Sequence, residues 1–125
     1  MVASSIAGCT LQRRAGELRV SVGPALPDEV QQCYRAFANE CVTRDCGRVL
    51  ITGNATVDAF SHLALRDALR AMSLAGVPAG LRVALVAETA NLIAVYDTAV
   101  VEAGRLGIDA QRFMSEKDAE HWLAS

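Results

Sequence analysis

Two short apolar runs constrain this chain more than any other feature: RVLITG at 48–53 and LRVALVAE at 81–88. Both are too brief for a core helix, and both are too apolar for a strand with one wet face. They read as strands covered on both sides. Such strands belong to mainly parallel sheets, and parallel neighbours need a crossover connection, usually a helix.

The intervening sequence supplies those helices. Val30, Cys33, Tyr34, Phe37, Ala38, Cys41 and Val42 recur at i, i+3, i+4, i+7, i+8, i+11 and i+12, one continuous apolar stripe. Pro27-Asp28-Glu29 opens this helix and Gly47 is its expected C-terminal cap. A second stripe includes Leu65, Ala68, Leu69 and Met72, and AGVPAG then breaks the chain. Thr89 is placed to cap a long third helix running through Gly107, with Leu92, Ile93, Tyr96, Val100 and Ala103 inward. Ala94, Val95 and Val101 give that helix additional apolar surface that a partner could cover.

Upstream, Leu18, Val20 and Val22 alternate with Arg19 and Ser21, a half-buried strand. A weaker strand from Ile6 to Arg13, joined through Ala15-Gly16, makes an antiparallel hairpin with it. Near the end, Arg112 to Met114 reads as a short strand. Ser115 caps a last helix in a capping box with Asp118, and Ala119, Trp122 and Leu123 fall on one face. A helix so short is marginal alone and must dock on open apolar surface beside the sheet. The expected fold is a single α/β domain over residues 1–125, with a mixed, mostly parallel sheet of about five strands. Its order is β-β-α-β-α-β-α-β-α.

Composition narrows the function classes. A net charge of −2 lacks the basic footprint of a nucleic-acid binder. No segment is long and apolar enough for stable membrane insertion. MVASSIAGCTLQRR carries no early positive charge and its apolar stretch is broken, so no secretory signal is expected and the location reads as cytoplasmic. Arg supplies 11 of the 12 basic residues, which fits a GC-rich bacterial genome. Cys9, Cys33, Cys41 and Cys46 read as buried reduced thiols packed as small hydrophobes, because disulfide frameworks suit smaller, secreted chains. His62 and His121 are too few and too far apart in sequence for a metal site. No Gly-rich phosphate loop or G-x-S-x-G elbow occurs. No cofactor and no catalytic residue is expected.

The closing pattern F-x-[ST]-x-x-x-A-x-x-W-L, carried by Phe113, Ser115, Ala119, Trp122 and Leu123, resembles the STAS/SpoIIAA-like superfamily. The order of elements from Leu11 onward is similar too, as are the GLRVALVAE strand and the Ala-rich helix after it. The resemblance implies a SpoIIAA-like fold and a non-catalytic, regulatory module that works through a protein partner or as a homodimer. In the superfamily's anti-sigma-factor antagonists, a partner kinase phosphorylates the Ser of an Asp-Ser-x-Gly-like motif. Here Asp58 falls on the motif's Asp, Ala59 occupies the place of the Ser, the Gly is unmatched and Ser61 is shifted. The resemblance therefore does not extend to the phosphorylation switch.

Ligands of open α/β sheets gather beyond the carboxyl ends of the parallel strands. Asn54, Thr56, Asp58, Ser61 and His62 follow one buried strand, and Glu88 and Thr89 follow the other. Together they form a candidate loop for a ligand or partner, though helix capping accounts for Thr56, Asp58 and Thr89 equally well. Asp58, Ser61 and His62 are also the residues an uncharacterised enzyme would use. A second candidate is an apolar pocket near Tyr96 and Trp122, between the third helix, the last helix and the sheet, for a small lipid-like ligand.

Overall fold

A computed structural model describes residues 2–6, 9–14, 16–22, 27–44, 46–53, 59–76, 80–87 and 89–125. Strands β1 (Val2–Ile6), β2 (Cys9–Arg14) and β3 (Glu17–Val22) come first. Helix α1 (Pro27–Arg44), β4 (Arg48–Gly53), α2 (Ala59–Ala75), β5 (Arg82–Val86), α3 (Ala90–Arg105), β6 (Asp109–Phe113) and α4 (Glu116–Ala124) follow. From β2 onward this is the expected order. The addition is β1, an edge strand antiparallel to β2, so the stretch expected as one strand from Ile6 is split between two. VASSI lacks the alternating apolar pattern that marks a strand in a sequence.

The strands lie side by side in chain order, β1 to β6. The first two pairings are antiparallel, and β3 to β6 are parallel. Parallel crossovers are right-handed almost without exception, so a sheet that advances one way and never reverses puts all its crossover helices on one face. Accordingly, α1, α2 and α3 share one core with the sheet. Leu11, Val20, Ile51 and Leu85 form a row across four strands beneath them, and Leu18, Val49, Val83 and Ala110 form the next. Phe37 at the centre of α1 is fully buried over these rows.

The opposite face changes character across the sheet. Its rows read Arg19, Leu50, Ala84, Gln111 and Ser21, Thr52, Val86, Phe113 from β3 to β6. The β3 end is polar and tolerates water, while the middle and far end are apolar and need a cover. Helix α4 sits there: Ala119 and Leu123 are buried against Leu50, Ala84 and Val86, with Phe113 and Trp122 at the margin.

Polar contacts hold α4 in place. Ser115 Oγ accepts from the Asp118 N–H at 3.2 Å, the predicted N-cap. At the other end Arg82 Nη1 donates to the Trp122 and Ser125 carbonyls at 3.0 and 2.9 Å, and its guanidinium lies 5.4 Å from the Trp122 ring. A cation there satisfies orphan carbonyls and faces the negative end of the helix dipole. Arg19 on β3 reaches Glu120 at 2.5 Å.

Two terminations differ from expectation. Gly47 is not a left-handed helix cap; its N–H and that of Arg48 both donate to Gly16 O, and its carbonyl accepts from Arg82 N. It stitches the starts of β4 and β5 to the turn at Gly16, whose φ of 76° suits glycine. Helix α3 stops at Arg105, and Gly107 turns the chain with φ 79°. Among the described residues no helix is long and apolar enough to cross a membrane.

Candidate functional site

The carboxyl ends of β4 and β5 lie side by side, and α2 and α3 depart from that edge. Ser61 and His62 fall in the first turn of α2, and Thr89 immediately precedes α3. Asn54, Thr56, Asp58 and Glu88 lie outside the described residues, as do the side chains of Ser61 and His62. Thr89 takes the N-cap position with extended backbone, but its exposed side chain makes no capping hydrogen bond. Ligand crevices in open α/β sheets form where strand order reverses. Among the described strands the order does not reverse.

Packing, rather than chemistry, dominates what is described at that end. Gly53 closes β4, and a Cβ there would collide with the Tyr96 hydroxyl and the Leu92 side chain. The glycine leaves room for the Tyr96 and Leu92 side chains of α3 at the end of the strand. Tyr34 of α1 and Tyr96 of α3 are both buried with their hydroxyls facing each other. Burial pushes Tyr34 up to about 12, opposed by its contact with Tyr96. Tyr96 is held well above the usual tyrosine value, by burial first and then by Tyr34. The two hydroxyls are close enough to couple, yet Tyr96 Oη finds no well-aligned hydrogen-bond partner among the described residues.

The expected pocket near Tyr96 and Trp122 does not form between these two residues. Tyr96 belongs to the core under α1, α2 and α3, whereas Trp122 belongs to the cluster under α4, on the other side of the sheet. Trp122 instead packs on Phe113, ring centres 5.5 Å apart and tilted by 43°, and beneath Arg82. Beside α4 the uncovered part of this face is a shallow polar groove of about 300 Å³, whose lining includes Thr10, Gln12, Arg19, Ser21, Thr52 and Glu116.

Unclaimed apolar surface lies elsewhere. Val95 of α3 is half-buried on the core, and only Ala94 and Val101 of the expected outer set are exposed. Helices α1 and α2, which pack extensively on each other, leave between their outer sides a groove of about 320 Å³. Ala38 and Ala68 form its buried floor, and Val42, Ala71 and Ala75 extend its apolar lining. Arg35 stands on the α1 bank and Asp67 on the α2 bank. On α2, seven residues beyond Asp67 and so on the same ridge, Leu74 is 90% exposed. In the sequence these alanines look like ordinary helix formers. Only the pairing of α1 with α2 turns them into a surface.

The cysteines need one correction. Cys33 is disulfide-bonded, so the expectation of reduced thiols throughout fails there. Pairing depends on Cα separation in the fold, which spacing along the chain does not reveal. Cys41 and Cys46 remain thiols, both buried, and burial pushes the Cys41 thiol far up, away from reactivity. His121 is exposed on α4. Among the described residues no cluster of His, Cys, Asp or Glu is placed to hold a metal ion. No protein-family model, no curated protein and no solved structure matches the chain.

Proposed function

We propose that this chain is a non-catalytic, SpoIIAA-like regulatory module that works by protein contact. The observation that carries the reading is the groove between α1 and α2, open to solvent, with the exposed Leu74 immediately before its lining residue Ala75. Together they offer a partner an apolar surface on two helices packed against each other. Buried thiols and mutually buried tyrosines are poor reagents, and their role here is packing.

Chemical cross-linking in growing cells, followed by mass analysis of the purified protein, tests this. The expected product is a defined species of fixed stoichiometry, with the cross-links mapping to α1 and α2. A protein recovered only as the uncross-linked monomer retires the reading. The small-ligand alternative has its own readout: Trp122 is packed between Phe113 and Arg82, so titration with fatty acids should leave its fluorescence unchanged. A saturable spectral shift would favour ligand binding instead.

A further inference from the structure

We propose that the partner at this groove is a second copy of the chain, in a twofold dimer that packs α1 of each copy across α2 of the other. The proposal rests on the interaction reading above and names its partner and surface.

Three features make the surface self-complementary, as a twofold interface requires. The first is direction. Helices α1 and α2 each connect one strand of the parallel set to the next, so they run the same way along the groove. A twofold axis lying along the groove preserves position along it and exchanges the banks. Every residue of α1 then meets the α2 residue at its own level.

The second is charge. Arg35 and Asp67 line opposite banks of one groove, so the same axis sets each Arg35 against the partner's Asp67. Arg35 has no ion-pair partner among the described residues, and Asp67 has only its neighbour Arg66, at 3.8 Å. The third is shape. Leu74 is exposed and immediately precedes Ala75, which with Val42 lines the groove. The axis places it over the partner's Val42, where small side chains leave room. One leucine from each copy fills the other's trough, and Ala71 and Ala75 on α2 permit close approach.

Sedimentation velocity over a wide concentration range, on the wild type and four variants, tests this. The wild type should dimerise. Leu74→Arg should weaken the dimer ~100-fold, because the knob is lost twice per dimer. Arg35→Glu and Asp67→Arg should each weaken it ~10-fold, and the two together should restore most of the loss. Circular dichroism checks that each variant is folded. If Leu74→Arg does not fold, the charge reversal and its rescue decide alone. A wild type that stays monomeric throughout overturns the proposal, as does a dimer indifferent to all four variants. If the monomer still binds a different protein stoichiometrically, only the dimer falls. If it associates with nothing, the interaction reading falls with it.

Discussion

The two faces of the sheet are built to different standards. One carries three helices and a core that extends from Leu11 on β2 to Ala110 on β6. The other carries one nine-residue helix whose Ala119 and Leu123 are buried over Leu50, Ala84 and Val86, and where the strands turn polar no described helix covers it. The difference follows from handedness. Three crossovers in the same direction must share a face, so whatever remains apolar on the reverse side has to be covered by an element outside the crossovers. The lesson is that the amount of cover follows the side-chain pattern. Leu50, Ala84 and Val86 call for α4, whereas Arg19, Ser21 and Thr52 call for water.

Substitutions can sharpen or break this contrast. Phe37→Ala opens a cavity in the middle of the three-helix core and should cost about 3–5 kcal/mol in denaturant unfolding. Leu123→Ala should cost less, about 2–3 kcal/mol, because a terminal helix can shift to fill the space. Hydrogen exchange should show the loss confined to α4 amides, with the sheet still protected. Equal losses, or global exchange in the second variant, would mean that the two faces are one cooperative unit.

A pH titration reads the faces separately, since both tyrosines lie on one side and the tryptophan on the other. Tyr34 and Tyr96 resist ionisation when folded, while the unfolded chain loses those protons near 10. Above that pH the unfolded state binds fewer protons than the folded one, so stability is full below about 10 and falls as pH rises toward 12. Tyrosinate absorbance should therefore appear together with loss of ellipticity. Smooth ionisation of a still-folded protein would show that the tyrosines are not sealed. The smallest effect belongs to the partly exposed Arg19–Glu120 pair that ties α4 to the open half of its face. A double-mutant cycle should give about 0.2–1 kcal/mol, diminished by salt.

Most of the architecture was legible before any coordinates, because period and length separate strands from helices so clearly in RVLITG, LRVALVAE and the α1 stripe. The first strand was not, since VASSI owes its place to pairing with β2 rather than to its own pattern. The pocket near Tyr96 and Trp122 failed for a topological reason. A capped amphipathic helix announces that it will dock, but not on which side of the sheet. Helix α4 follows the last described strand and is no crossover, so the handedness rule does not assign its side. Gly53 and the Ala38, Ala68, Ala71 and Ala75 trough were invisible in another way, because small residues carry no periodic signal of what they admit. The Cys33 disulfide belongs with them: it is a fact of distance, not of spacing.

The unbroken strand order has a consequence for how the molecule is made. Each strand pairs first with one that precedes it, so the sheet can lengthen from its first edge as the chain is synthesised. No early strand has to wait with an open slot for a late one to be threaded in. Among the described elements, the step that reaches back is that of α4, which crosses to the reverse face where Arg82 and Arg19 receive it. Assembly then resembles laying planks in sequence and fastening the final one from beneath.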